Sequence, residues 1–281
     1  MSEIITVDDS ILKAYDACPM KGFWMHEKHI AHGAEGIALV FGRVVHEGLG
    51  LLYGKAGVPA ACEVFKDHYT ITDPKGLRTV AKGEEIITAW EEQLMGDGYE
   101  GISGETMIKY PLTSYLMFVG NIDHFGKRDG EYLIQEWKTS GYPNQFITKP
   151  NQQITGYCFL ASLHFRKRID KVLVTIAGLF KTSKGGYRST RDGGQQSIFR
   201  QDPPVTIEDW EFEAWQRDVR TKCEDILRYR ESGHYPQKTE SCTDFGGCQF
   251  LPLCSVAPKY RDMIIESSYV PYHWNPETKG G

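Results

Sequence analysis

Two short stretches of this 281-residue chain, Gly-Asn-Ile-Asp-His-Phe at residues 120–125 and Ile-Gln-Glu-Trp-Lys at residues 134–138, constrain its fold more than any other feature. Successive side chains of a strand alternate faces, so Glu136 and Lys138 point the same way. The tight-turn dipeptide Asp129-Gly130 lies between the stretches and predicts a hairpin whose adjacent strands gather Asp123, Glu136 and Lys138 at one place. Charge held within a sheet is costly unless it is paired or binds a cation, which favours chemistry over packing at this point. Hard carboxylate oxygens suit Mg²⁺ or Mn²⁺, and a lysine beside such an ion suits attack on a phosphodiester. A surface hairpin with an incidental Glu-x-Lys is the plainer alternative, so the pair needs support from the rest of the chain.

The flanking pattern supplies a scaffold. Asp9 or Ser10 can cap a first helix to about Ala17, which Cys18-Pro19 ends. Residues 36–52 read as a helix carrying His46, with further helical patterns near 59–69 and 79–95. Strand signals run over 106–111, 115–122 and 132–138. Pro150 opens a helix to about Arg166, and residues 171–180 predict a strand buried on both faces. A glycine-rich loop or long hairpin tip is expected over 181–196. Thr206 to Asp209 resembles a capping box that starts a long helix to about Glu231. The last fifty residues look irregular, with a flexible polar tail from Asn275 to Gly281. This order predicts an α/β (α+β) fold, a small central mixed β-sheet flanked by helices, in a single domain of residues 1–268 followed by a flexible 269–281. No apolar run reaches the ~20 residues of a membrane span and the first residues lack a signal pattern, so an intracellular protein is expected.

Other residues can join the acidic set. The carbonyl of Trp137 is a further oxygen donor, and His46 offers a neutral imidazole to Mn²⁺. Gln153 and Tyr157 are four apart and share one helix face, able to orient a phosphate or Lys138; Gln152 is the substitute if the register slips. Glu105 can add a supporting carboxylate. The net charge of −5 excludes a uniformly DNA-coating surface, so any nucleic-acid contact must be local. Residues 164–200 provide one, with nine basic residues against two acids. Arg166, Lys167, Arg168, Lys181, Lys184, Arg188 and Arg191 are its candidate DNA-binding residues. Phe165, Phe180, Tyr187 and Phe199 are interleaved as candidate stacking rings.

Of the seven cysteines, Cys62, Cys158 and Cys223 fall in helical patterns as small buried hydrophobes. Cys242, Cys248 and Cys254 lie in a Gly- and Pro-rich loop that no helix or strand explains, and Cys18 is the fourth in such a context. Without a secretion signal, disulfides are disfavoured. Four thiolates suit Zn²⁺ or a [4Fe–4S] cluster, and spacing alone does not separate the two.

His46, Asp123, Glu136-x-Lys138 and Gln153-x-x-x-Tyr157, with Tyr15-x-x-Cys18-Pro19 and Phe41-Gly42-x-x-x-His46, resemble in order and context the PD-(D/E)xK nuclease superfamily. The likeness is to its RecB-like and CRISPR-adaptation exonucleases and spans about residues 10–255. It implies a restriction-endonuclease-like core at about 36–200, with His46, Asp123 and Glu136 binding the metal and Lys138 catalytic. It also implies cluster-bearing termini at 10–30 and 236–260, with Cys18, Cys242, Cys248 and Cys254 around an iron–sulfur cluster. Ile122 stands where the family pattern has proline. No Gly-x-x-x-x-Gly-Lys-(Ser/Thr) phosphate loop is present, so a helicase or recombinase would have to be a separate partner. The expectation is a metal-dependent DNA nuclease of a bacterium or phage, an exonuclease on single strands or ends in recombination, repair or phage DNA processing. A non-catalytic, cluster-stabilised nucleic-acid-binding module of the same fold is the rival.

Overall fold

The computed structural model describes residues 4–33, 36–96, 98–142, 146–179, 187–188, 196–244 and 247–277, with the side chains of 187–188 and 196–197 left aside. In chain order its elements are β1 (Ile5–Val7), α1 (Asp9–Ala17), α2 (Pro19–Gly22), β2 (Ile30–Ala31), α3 (Ile37–Tyr53), α4 (Gly57–His68), α5 (Val80–Leu94), β3 (Tyr99–Ser103), β4 (Thr106–Thr113), β5 (Leu116–Ile122), β6 (His124–Arg128) and β7 (Glu131–Ser140). There follow α6 (Gln152–Phe165), β8 (Lys171–Gly178), β9 (Tyr187–Arg188), β10 (Gln196–Ser197), β11 (Phe199–Gln201), β12 (Val205–Thr206), α7 (Asp209–Ser232), α8 (Leu251–Cys254), α9 (Arg261–Ser268) and β13 (Val270–Pro271). The chain divides into two compact units, one of residues 35–108 and 121–209, the other of 1–34, 109–120 and 210–281.

The first unit holds a mixed sheet in the order β11-β8-β7-β6-β3, with β12 also on β8. Strands β7 and β8 are parallel, with Glu136 opposite Val174 and Lys138 opposite Ile176. A parallel pair needs a crossover, and α6 provides it. Its start is set by Asn151, whose side chain accepts the Ile154 N–H at 3.2 Å, so the helix begins two residues beyond Pro150. As expected, β8 is buried along almost its whole length. One sheet face is covered by α3, α4 and α5, whose Phe41, Val44, Leu49, Phe65, Ile86 and Trp90 close a core over Trp137 and Ala177. Gly83 sits where a Cβ would fall 2.2 Å from the Phe65 ring, which is how closely α5 approaches α4.

The second unit contains β1 alongside β5 in parallel, α7 and the cysteine-bearing C-terminal segment. Phe118 meets Trp215 of α7 edge-on, and Trp24, Ile30, Phe250, Leu253 and Tyr269 form a small core beneath α8 and α9. Among the described residues, no helix is long and apolar enough to cross a membrane.

Several boundaries differ from the sequence expectation for physical reasons. Asp123 does not lie on a hairpin strand: β5 pairs with β1 and β4, the chain breaks at Asp123, and it continues as β6, the true partner of β7. The Asp129-Gly130 turn, with φ of 52° and 79°, therefore joins β6 to β7. Thr206 is held in β12 opposite Lys171, so α7 starts at Asp209. The tail is fixed at least to Glu277, because the Trp274 indole donates to Asp8 at 2.8 Å and Glu277 pairs with Lys109. Of the expected loop at 181–196, only the β9 and β10 positions are described, and these pair antiparallel.

Candidate active site

The register His124 opposite Gln135, carried one step further, sets Asp123 opposite Glu136. Both carboxylates are buried, Asp123 to 5% exposure and Glu136 to 1%. Each gains specific partners. The Trp137 N–H donates to Asp123 Oδ2 at 2.9 Å, and His46 Nδ1, reaching in from α3, lies 3.2 Å from Asp123 Oδ1. Lys138 Nζ stands 2.5 Å from Glu136 Oε1, and the Gln153 amide donates to the same oxygen at 3.4 Å. Gln153 also donates to the Tyr157 hydroxyl at 2.9 Å, one turn along α6.

The two acids are pushed apart in proton affinity. Burial raises Glu136, and the Asp123 charge adds to the rise, while Lys138 opposes it. Burial would raise Asp123 too, but the charge and hydrogen bond of His46, with help from Lys138 and the Trp137 N–H, bring it below the usual carboxylate range.

A cavity of about 120 Å³ opens beside Asp123, lined by His46, Glu47, Gly50, Glu105 and Trp137. Glu105 accepts from the Asn121 amide at 3.1 Å, which ties it to the segment leading into Asp123. Sequence reasoning missed Asn121 and Glu47. Alternation puts Asn121 on the face of Asp123, and Glu47 adjoins His46, so both signals were present.

The chain belongs to the PD-(D/E)XK nuclease superfamily. A family model described by that name matches residues 10–255, most of the chain. The crystal structure of the "Putative exonuclease" of Eubacterium rectale is similar, with a TM-score of 0.53, 13% identity and 86% of each chain covered. At that identity the likeness is one of fold. A second crystal structure, of a protein named SSO0001, aligns over 92% of this chain and 88% of its own at 15% identity and a TM-score of 0.40. No curated protein matches the chain.

Nucleases of this superfamily generally use divalent ions such as Mg²⁺ or Mn²⁺, and two observations bear on whether these residues fit one. Among the described residues, no three His, Cys, Asp or Glu groups stand in a geometry ready to hold a metal. Against this, Glu136 Oε2 is buried with no hydrogen-bond partner. A carboxylate oxygen is rarely left so, and a cation satisfies it better than any neutral donor. An imidazole and two carboxylates form a suitable donor set.

The four loop cysteines lie in one unit, where no three thiols among the described residues stand ready to hold a metal. Cys18 Sγ accepts from the Lys238 N–H at 3.4 Å, and the Cys248 N–H closes a turn onto the Cys242 carbonyl at 2.8 Å. Burial raises the thiols of Cys242 and Cys254, and both also feel Cys18 and Cys248. All seven cysteines are free of disulfides, and Cys62, Cys158 and Cys223 are buried as expected.

The basic segment is quieter than its composition suggests. Arg168 is engaged by Asp170 and Asp209, Lys171 by Glu131 and Arg200 by Asp202. Phe199 is buried and Phe165 stacks on Phe125 at 4.0 Å, so neither is an open platform for bases. Arg166 and Lys167 are exposed. Lys181, Lys184, Arg191 and Phe180 lie outside the described residues, as do the side chains of Arg188 and Tyr187.

Proposed function

We infer that the chain is an Mg²⁺- or Mn²⁺-dependent DNA nuclease, an exonuclease acting on single strands or DNA ends. The observation that carries this is Glu136, a carboxylate at 1% exposure with one oxygen unbonded beside a second buried acid. Such a cost is retained where the group is used. His46, Asp123, Glu136 and the Trp137 carbonyl are the residues that would hold the ion, which when bound would polarise the scissile phosphate and activate a water. Lys138 is tethered beside Glu136 and can neutralise charge developing on the phosphate oxygens. Gln153 holds the Glu136 rotamer, and Tyr157 holds Gln153. The Trp137 N–H and His46 orient Asp123, and Glu105 would shape the approach from the cavity side.

Cys18, Cys242, Cys248 and Cys254 are read as ligands of a structural [4Fe–4S] cluster, with Zn²⁺ as the alternative. The placement of Cys242, Cys248 and Cys254 in one segment, in the same unit as Cys18, supports this. The two units are read as one nuclease domain, because the chain passes between them repeatedly, and its end is taken past the expected residue 268 because Trp274 and Glu277 bond Asp8 and Lys109. Arg166, Lys167 and Arg168 are read as DNA contacts. An intracellular role in recombination, repair or phage DNA processing, with a separate helicase or recombinase, fits a chain without its own phosphate loop.

The test is incubation of the pure protein with end-labelled single- and double-stranded DNA in Mn²⁺, Mg²⁺ or chelator. Metal-dependent shortening of the strands, lost in a folded Lys138→Ala variant, is expected. Cleavage in chelator, or full activity of that variant, would overturn the assignment. Salt-sensitive binding without cleavage would favour the non-catalytic module.

A further inference from the structure

Away from the acidic pair, two lysines converge on one tyrosine. Lys127 of β6 is the cross-strand partner of Tyr132 of β7, and its Nζ lies 4.7 Å from the ring centroid. Lys167, just beyond α6, places its Nζ 4.3 Å from the same centroid and donates to the Tyr132 hydroxyl at 2.6 Å. The ring does not move freely beneath them. Tyr132 stacks on Phe125 at 5.7 Å, and Phe125 stacks on Phe165 at 4.0 Å, so three rings from β7, β6 and α6 form a fixed support.

The arrangement is unusual in its charge. Among the described residues neither lysine makes an ion pair with a carboxylate. The nearby acids are otherwise engaged or set apart: Glu131 pairs with Lys171 and Asp170 with Arg168. Glu100 faces Lys127 across β3 without forming an ion pair. Exposed Arg166 adjoins Lys167 and adds a further positive charge. Two ammonium groups held against one ring repel each other, and an anion between them relieves the repulsion. The Lys167 hydrogen bond, with the charge of Lys127, already holds the Tyr132 phenol below its ordinary value.

We propose that Lys127 and Lys167, held against Tyr132, form a second anion site that grips a backbone phosphate of the nucleic acid, apart from the site of cleavage. Tetrahedral phosphate oxygens suit several point-charge donors converging from different directions, and such contacts fix register without reading sequence. Tyr132 and Glu136 share a strand face four residues apart, roughly 13 Å along the strand, which is a few nucleotides of a bound chain. The identity of the ligand rests on the nuclease reading above, whereas the existence of the anion site does not.

The experiment measures binding of a fluorescent single-stranded 20-nucleotide DNA by anisotropy, in chelator, from 50 to 300 mM KCl. The paired variant Lys127→Ala/Lys167→Ala is expected to bind on the order of tenfold more weakly at 50 mM KCl, with the salt slope reduced by roughly 0.7–1. Lys127→Arg/Lys167→Arg should restore most of the affinity, and Lys75→Ala, an exposed lysine elsewhere, should change nothing. Unchanged affinity and slope in the paired variant, or an equal loss in Lys75→Ala, would overturn the proposal. Inorganic phosphate serves as the second probe. Displacement no stronger than chloride at equal ionic strength supports a strand phosphate, while saturable displacement at micromolar phosphate would overturn the nucleic-acid assignment. A wild type that binds DNA through these lysines but never cleaves it would sink the nuclease reading and leave the anion site standing.

Discussion

Replacing Glu136 by glutamine should stabilise the metal-free protein while abolishing its activity. The wild-type carboxylate is buried beside Asp123 with Oε2 unpartnered. Burial and the adjacent Asp123 charge disfavour the ionised carboxylate by about 1–3 kcal/mol, and this charge is what the substitution relieves, since an amide NH2 in the place of Oε2 is as unpartnered as the oxygen. Glu136→Gln keeps the shape and removes the charge. It also forfeits the Lys138 ion pair, but the Lys138 side chain is 27% exposed and its ammonium can turn to water, so that loss is about 0–1 kcal/mol. The balance is a gain of about 1–2 kcal/mol, which for a chain of this length raises the Tm by about 3–6 °C. Divalent metal should reverse the order, since an ion at about 100 times its Kd stabilises the wild type by ~2.7 kcal/mol and the variant by much less. Differential scanning fluorimetry in chelator and in Mn²⁺, with end-labelled DNA as the activity readout, tests both halves. A variant that melts below wild type in chelator would refute the reasoning, because Glu136 would then be a net contributor to the fold.

Three further outcomes are expected. Gln153→Ala, which frees Glu136 on its α6 side, should lower kcat by roughly 10–100-fold with little change in KM, as measured by steady-state cleavage. Cys248→Ala should lower the Tm of the whole chain and remove any absorbance near ~400 nm; a colourless wild type with stoichiometric zinc would assign the site to Zn²⁺. Asp73 accepts the backbone N–H groups of Lys75, Leu77 and Arg78 at 2.9, 3.1 and 2.9 Å, and these bonds, that of Lys75 foremost, hold its carboxyl below the usual range. Since a depressed folded-state value stabilises above the unfolded value, Asp73→Ala should lower the Tm by a few degrees at pH 7. That difference should shrink only as the pH falls below about 4, in melts run across pH.

How far the sequence reveals this molecule depends on how local each determinant is. Period-two alternation places Glu136 and Lys138 on one face, and the order of elements yields the parallel β7–β8 pair bridged by α6. Both follow from neighbours in the chain. The helix caps shift by a residue or two because Asp8, Thr79 and Asn151 do the capping. The break at Asp123 was not legible, since residues 120–125 read as part of one hairpin strand and only the pairing of β5 with β1 and β4 separates it from β6. Equally hidden was the cluster on the opposite face of β7, where the Tyr53 hydroxyl donates to buried Gln135 at 2.8 Å and Tyr99 meets His124 at 2.7 Å. It draws on α3, β3, β6 and β7, and no single window contains it. The basic segment misleads for a related reason: composition counts charges, whereas folding brings Asp209 to Arg168 and Glu131 to Lys171.

The central claim is that Asp123 and Glu136 gather a divalent cation. Anomalous diffraction from crystals of the protein soaked in Mn²⁺ tests it most directly. The account predicts a peak within bonding distance of both carboxylates and of His46, absent from Glu136→Gln crystals treated alike; an occupied manganese site elsewhere with nothing at these residues would contradict it.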